Sequence, residues 1–450
     1  KELKFAIGEM PAGGGGPGAG GPGGGGAATA MALSGNGRWA AFTVFPKSAD
    51  AKRARRDRRT LTNKLSVVEL ATGTRRDFDR ARAFRFAGDK SDWLAVHHAA
   101  PDAPAGGGAG AAGGAGGALP AGPSSGGTLL ELVNLAGGTP ITVAGVGEFA
   151  FDESGRWIAY TVDSRDLIGN AVQLLELATG ITRSLDAQKA SYRRLAWIDS
   201  GDALSALRST VDSATNDTSY AVIGWSRIAT TTPTKVEVTA KSAGIDGGLV
   251  VSGDRAPRWG ETQSVLYFGL REPRAPRPRE SGSFTPPSPG GVAPGAGNTG
   301  QVAAAPQTDE ETPSLILWHW KDPRLQSQQQ VQETQDKGFS YLAAWNIGAS
   351  KVARLSDATM RDVSTSSRDR WAVGTDIGPY ERQASVDGKA FRDLYAIDIT
   401  TGTRKALAIK LRGGGGFGGG VSFSPDGERL AYYDDGDYRM YEFATGTMRT

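Results

Sequence analysis

The chain has 450 residues, 39% of them hydrophobic, which is ample material for a packed core within one large domain. Its 51 basic side chains nearly balance 48 acidic ones, so a formal charge of +3 gives no argument for nucleic acid as a partner. The absence of cysteine excludes disulfides, thiol chemistry and thiolate metal sites, and no apolar run approaches the roughly 18–20 residues of a membrane span.

Residues 1–27 are a Gly-rich N-terminal segment with too little apolar surface to order itself. The sequence starts at Lys1, with neither an initiating Met nor a signal peptide, and reads as a mature or truncated segment. Ser34-Gly35-Asn36 then signals a tight turn, and Gly37-Arg38-Trp39-Ala40-Ala41-Phe42 follows it as a buried strand. The basic run Lys52-Arg53-Ala54-Arg55-Arg56-Asp57-Arg58-Arg59 is either an acidic-surface or nucleic-acid patch or a solvated helical insertion between two strands. No aromatics interleave its charges, as stacking on single strands would need, so an insertion is expected. Glu69-Leu70-Ala71-Thr72-Gly73 marks the next turn.

A degenerate copy follows in Phe84-Arg85-Phe86 with Asp92-Trp93-Leu94-Ala95-Val96. His97 and His98 end its second strand, just before a Gly-rich insertion at about 101–127. Asp152-Glu153-Ser154 leads into Gly155-Arg156-Trp157-Ile158-Ala159-Tyr160, then Glu176-Leu177-Ala178-Thr179-Gly180 and a short strand at Thr182-Arg183-Ser184-Leu185. Two more copies pair Leu195-Ala196-Trp197 with Gly201-Asp202-Ala203-Leu204, and Pro257-Arg258-Trp259 with Ser264-Val265-Leu266-Tyr267-Phe268. A second insertion covers about 281–307. Beyond it, Leu315-Ile316-Leu317-Trp318-His319-Trp320 and Tyr341-Leu342-Ala343-Ala344-Trp345-Asn346-Ile347 belong to one repeat or to two. Arg370-Trp371-Ala372-Val373 leads into Asp393-Leu394-Tyr395-Ala396-Ile397 and Asp398-Ile399-Thr400-Thr401-Gly402. After a third insertion at about 413–420 the pattern closes with Ser424-Pro425-Asp426, Gly427-Glu428-Arg429-Leu430-Ala431-Tyr432 and Glu442-Phe443-Ala444-Thr445-Gly446.

Self-similarity at this spacing means one supersecondary unit used many times. Each unit is a turn, a buried strand ending on an aromatic, a strand alternating in period two such as Tyr438-Arg439-Met440-Tyr441-Glu442-Phe443, a Thr-Gly turn and a last short strand. One four-stranded sheet leaves two faces to cover, and radial stacking covers them. The expected fold is therefore all-β: a β-propeller of about seven four-stranded blades, eight being possible, over residues 28–450. Its insertions at about 101–127, 281–307 and 413–420 are expected to be disordered loops, and the chain is expected to stop within the last strand of a blade.

Catalytic chemistry is not legible. Three histidines, His97, His98 and His319, lack H-E-x-x-H spacing, so no zinc site is expected. His319, between two tryptophans, is expected in a strand. The nearest approach to a nucleophile elbow is Gly224-Trp225-Ser226-Arg227-Ile228, where Ile stands in place of the second Gly and no helix follows. Ser226 reads as a strand-end residue. Asp434-Asp435 and Asp309-Glu310-Glu311 read as solvated carboxylates in turns or loops. No catalytic, cofactor-binding or metal-binding residue is assigned, and no cofactor is expected.

The repeats Ser424-Pro425-Asp426-Gly427 with Leu430-Ala431-Tyr432, and Leu177-Ala178-Thr179-Gly180, resemble those of TolB-like and dipeptidyl-peptidase-like propellers. Leu317-Trp318-His319-Trp320-Lys321-Asp322-Pro323-Arg324-Leu325-Gln326, taken with Tyr341-Leu342-Ala343-Ala344-Trp345-Asn346, is similar to the N-terminal propeller of bacterial prolyl-oligopeptidase-family serine peptidases. The resemblance implies an α/β-hydrolase domain after Thr450, carrying Ser, Asp and His in that order, with the propeller restricting access to short peptides. It also favours a periplasmic or secreted location. In dipeptidyl-peptidase-like members paired glutamates in the propeller hold the substrate amino terminus; the one Glu-Glu pair here, Glu310-Glu311, lies in a Pro- and Gly-rich loop and does not take over that role. The alternative is a stand-alone TolB-like propeller that binds a protein partner.

Overall fold

A computed structural model of the chain describes residues 4–9, 31–56, 61–89, 92–100, 126–211, 218–273, 319, 321–413 and 420–450. Most of the three Gly-rich insertions, the Glu310-Glu311 pair and all of the Trp-His-Trp segment except His319 lie outside these residues.

The recurring phrases have a local cause. Gly37, Gly155 and Gly427 hold φ of 68°, 68° and 71°, a left-handed conformation that a residue with a Cβ adopts at a cost of roughly 1–2 kcal/mol. Each stands two residues before a second strand: Trp39–Val44, Trp157–Val162 and Arg429–Asp434. The second phrase closes a turn in which the Thr hydroxyl donates to the Glu carboxylate three residues earlier, at 2.8 Å for Thr72–Glu69, 3.0 Å for Thr179–Glu176 and 2.9 Å for Thr445–Glu442. The two phrases meet across the sheet, where Arg38, Arg156 and Arg429 pair with Glu69, Glu176 and Glu442 at 3.7, 2.8 and 3.4 Å. That pairing explains why they recur together.

Degenerate copies keep the same backbone without the glycine. Gln263 and Asp369, each with φ of 56°, stand two residues before the strands Val265–Arg271 and Trp371–Asp376. Gln263→Gly relieves the left-handed strain while adding unfolded-chain entropy, so a net stabilisation of about 0.5–1 kcal/mol is expected. A urea midpoint that stays put or falls would show that the Gln side chain contributes more than its backbone costs.

The strands form six antiparallel sheets. Five carry one four-strand unit each, while the seven-stranded sheet carries two units that share the strand Ile141–Phe151. The first half of that strand pairs with Thr128–Asn134 and its second half with Trp157–Val162. The described strands thus make seven consecutive units. Their first strands are Met31–Leu33, Ala81–Phe86, the second half of Ile141–Phe151, Ser191–Trp197, the pair Val250–Val251 and Arg258–Trp259, Asp362–Thr365, and Ser422–Phe423.

Six apolar clusters each join one unit to the next, from units 1 and 2 (Ala41, Leu65, Phe84, Leu94) to units 6 and 7 (Val373, Leu394, Tyr432, Tyr441). The aromatic that ends a first strand reaches back to the preceding unit: Trp197 Nε1–H donates to Ala150 O at 3.0 Å, and Trp259 Nε1–H to Leu204 O at 2.9 Å. Meandering four-stranded sheets stacked face to face in chain order are the blades of a β-propeller.

Three points differ from expectation or complete it. His319 is exposed and not in a strand: its N–H donates to Asp322 Oδ2 (3.0 Å) and its Nδ1 accepts from the Lys321 N–H (3.1 Å), which curls the chain into a turn. Tyr341–Asn346 pairs with Val265–Arg271, so it is the third strand of unit 5. Thr447–Arg449 forms a fourth strand in unit 7, paired with Asp437–Glu442.

Three helices occur among the described residues. Helix α1 (Ser48–Arg56) carries the first half of the basic run between two strands of unit 1, as an insertion. Helices α2 (Gln326–Lys337) and α3 (Glu381–Asp387) bury no residue, so they lack the apolar stripe from which a helix is read.

Candidate functional site

The first strands are the innermost ones. The Arg194 and Leu195 N–H groups donate to Glu148 Oε2 on the neighbouring first strand at 2.6 and 3.3 Å. Turns between first and second strands gather at one mouth of the array: Asn36 Nδ2–H donates to Asp92 Oδ1 (2.8 Å), Thr262 N–H to Asp369 Oδ2 (2.8 Å), and Ser367 Oγ–H to Pro425 O (3.0 Å).

The opposite mouth takes the described connections between second and third strands, and with them α1, α2 and α3. There Arg324 Nη2 meets Asp336 Oδ2 at 2.8 Å and its Nε lies 3.5 Å from Glu381 Oε1, tying α2 to α3. Strand alternation sends both the start of unit 1 and the end of unit 7 to this same decorated mouth.

The inner strands are rich in arginine. Arg82 and Arg85 lie on the first strand of unit 2, Arg193 and Arg194 on that of unit 4, Arg255 and Arg258 at that of unit 5, and Arg361 just before that of unit 6. Three of these are held by neighbours. Arg255 donates to Ser340 Oγ and O, both at 3.2 Å; Arg258 donates to Thr365 Oγ1 (2.9 Å) and sits 4.3 Å over the Tyr267 ring. Arg361 pairs with Asp336 (2.6 Å) and lies 4.1 Å over the Phe339 ring. The guanidinium groups of Arg82, Arg85, Arg193 and Arg194 have no hydrogen-bond or ion-pair partner among the described residues.

Glu148 stands between these two arginine pairs. Burial pushes its carboxyl above the ordinary glutamate value, against the opposing pull of the Leu195 and Arg194 N–H groups and the Arg194 and Arg193 charges. Arg194 itself has φ of 60° at a register shift in its strand. A non-glycine residue held there costs of order 1–3 kcal/mol and persists only where surrounding contacts fix it; here the Glu148 carboxylate receives its N–H. The placement of these residues on first strands was not legible in sequence. The signal available was Arg82, Arg85, Arg193 and Arg194 recurring just before the aromatic of the first-strand phrase.

His97 is buried beside this edge, edge-on to Phe149 with ring centroids 5.8 Å apart. The Val146 carbonyl 3.0 Å from Nε2 can only accept, so that nitrogen carries the proton; Thr128 Oγ1 lies 2.8 Å from it. Burial, outweighing the Val146 hydrogen bond, holds its pKa below 6.5, and the Arg82 charge adds to this. A depressed histidine contributes stability that is present above its unfolded value and lost as pH falls. The unfolding free energy should therefore decline as pH drops below about 6.5, and His97→Gln should flatten that decline. An unchanged pH profile in the variant would refute it.

The other sequence candidates are dispersed. His98 Nδ1 lies 3.0 Å from Asp79 O and Nε2 3.1 Å from Glu131 Oε2. Ser226 is the last residue of Thr218–Ser226, and Ile228, standing where an elbow needs Gly, is fully buried. Asp434 ends the strand Arg429–Asp434 and pairs with Arg439 on Asp437–Glu442 at 2.9 Å, while Asp435 lies in the turn between them. Among the described residues no cluster of three or more His, Asp or Glu is placed to hold a metal ion, and no helix is long and apolar enough to cross a membrane.

Fold and site together define a β-propeller with a cationic inner edge. No protein-family model matches the chain, and no curated protein matches it. Among solved structures it is similar to the tricorn protease, with 9% identity over 93% of this chain and 34% of that one, at a TM-score of 0.36. A prolyl endopeptidase structure gives 10% identity over 92% of this chain and 46% of that one, at 0.35. The β-propeller domain of the Trilobed protease from Pyrococcus furiosus gives 10% identity over 92% of each chain, at 0.31. The chain thus spans about a third to a half of the first two proteins.

Proposed function

We propose that this chain is the non-catalytic, substrate-gating propeller of a prolyl-oligopeptidase-like serine peptidase, exported to the periplasm or secreted, whose α/β-hydrolase domain follows Thr450. The observation that carries this reading is the asymmetry of the two mouths. One is closed by short turns. The other gathers the helices, the long connections and both ends of the sheet array, so a domain continuing from the last strand would sit over the decorated mouth. Peptides would then reach it along the inner edge. The peptide-size limit and the family assignment come from the sequence resemblance.

A stand-alone, protein-binding scaffold is the second reading. The face of unit 7 turned away from unit 6 favours it, since Tyr433, Tyr438 and Met440 are 43%, 71% and 39% exposed there, an apolar surface of the kind that meets partners. The deciding experiment is to sequence the reading frame beyond Thr450. A continuation with G-x-S-x-G, then Asp, then His supports the peptidase reading. A stop codon close by refutes it and leaves the scaffold.

A further inference from the structure

We propose that the inner edge of units 2 to 4 binds an extended acidic peptide, with Arg82, Arg85, Arg193 and Arg194 receiving its carboxylates. This deepens the gating reading and rests on it in placing a peptide within the propeller.

The first argument is charge. Four guanidinium groups stand on two inner strands with no hydrogen-bond or ion-pair partner among the described residues, whereas Arg255, Arg258 and Arg361 on other inner strands are already engaged. The Glu148 carboxyl feels the Arg193 and Arg194 charges but makes no ion pair with either. Its Oε2 is taken up by two backbone N–H groups, and no guanidinium meets its carboxylate. Arg82 and Arg85 are exposed and Arg193 and Arg194 half-buried, so all four residues are at least partly reachable and the second pair is in part withdrawn from water. Arginine in such a setting forms strong, frequently bidentate hydrogen bonds with carboxylates.

The second argument selects a peptide over other polyanions. Ala81–Phe86 and Ser191–Trp197 are terminal strands of their sheets, so each has one edge with no strand partner, although on the second the Arg194 and Leu195 N–H groups are already taken by Glu148. An extended peptide can add its main chain to such an edge while its side chains meet the arginines. A polysaccharide has no matching ladder of N–H and C=O groups. The register shifts at Ala81/Ala83 and Arg193/Ala196 interrupt each edge, which limits the added strand to a short segment.

The test is fluorescence anisotropy on the full chain with a fluorescein-labelled oligoglutamate peptide, a matching oligoglutamine peptide and oligogalacturonate as competitor. Oligoglutamate is expected to bind and to weaken as salt is raised. Arg82→Gln with Arg85→Gln, and separately Arg193→Gln, are each expected to weaken it about tenfold. Arg75→Gln, on an outer strand of unit 1, is expected to leave binding unchanged. Circular dichroism checks that each variant folds; the exposed Arg82 and Arg85 pair serves if Arg193→Gln does not. Unchanged affinity in the arginine variants overturns the proposal. Competition by oligogalacturonate as effective as that by unlabelled oligoglutamate overturns the choice of a peptide. Equal affinity for oligoglutamine overturns the acidic preference while leaving the gating reading intact, and failure of both peptides to bind removes the peptide from the inner edge altogether.

Discussion

Trp225→Ala is expected to lower the unfolding free energy by about 3–5 kcal/mol. The side chain is 1% exposed and packs with Leu204, Ala206 and Ile223 of its own unit and Val172 and Leu174 of unit 3. Truncation removes the largest fully buried side chain from the joint between units 3 and 4 and leaves a cavity between two sheets. Its indole N–H has no hydrogen-bond partner among the described residues, and a buried unsatisfied donor costs about 1–3 kcal/mol. Trp225→Phe sheds that donor while keeping most of the apolar contact, so its net effect is expected to stay below about 1.5 kcal/mol. Urea unfolding of the two variants checks both values. A Trp225→Phe loss well above about 1.5 kcal/mol would mean that the indole N–H carries no such penalty.

The second large effect is expected at Asp186. Its side chain is 6% exposed and accepts from Lys235 Nζ at 2.6 Å, Tyr192 OH at 2.8 Å and Arg208 Nη1 at 3.3 Å; Arg208 also pairs with Glu237. Asp186→Asn leaves Arg208, itself 10% exposed, without its most buried counter-charge. Removing one partner from a buried network costs about 3 kcal/mol, because the remaining charge stays desolvated. A loss below about 1 kcal/mol would place the network with screened surface pairs.

The pH dependence supplies an independent reading of the same site. Burial alone would raise the Asp186 carboxyl, but the Lys235 and Tyr192 hydrogen bonds and the Lys235 and Arg208 charges together hold it below 3.8. A depressed carboxylate contributes stability that is present above its unfolded value and lost as pH falls toward its folded one. Asp186→Asn should therefore weaken the acid-induced loss of stability below about pH 4.

Much of the fold was legible because the repeats carry their own mechanism. A glycine at a left-handed turn position and a Glu-x-x-Thr-Gly turn each solve a local problem, so they recur wherever that problem does. Units whose turns use Gln263 or Asp369 keep the geometry with a different residue, and only the flanking strands revealed them. Helices α2 and α3 escaped because their few apolar residues, Val331 and Val386 among them, are exposed and form no stripe, and periodicity cannot report a helix that buries nothing. His319 was misplaced in a strand because the tryptophans on either side suggested period two, while the local hydrogen bonds with Asp322 and Lys321 were decisive.

The inner edge was harder. Arginines on strands that lie more than a hundred residues apart in sequence are gathered on the first strands of units 2 and 4 only by the fold, and single repeats give no hint of it. Nor does the sequence say which arginines are spoken for. Arg361 is taken by Asp336 on a helix that was itself unforeseen, while Arg82 sits in an equivalent phrase and remains uncommitted.

The strand Ile141–Phe151 has a mechanical consequence. Elsewhere successive units are joined by a connecting loop and by side-chain contact, joints that can part while each sheet keeps its hydrogen bonds. Between units 2 and 3 the backbone ladder runs unbroken from Ala81–Phe86 to Thr182–Ala187. These two blades form one beam, and under tension applied at the chain ends they would come apart together or not at all. The array is thus a string of beads with one double link, which leaves its flexibility to the joints on either side.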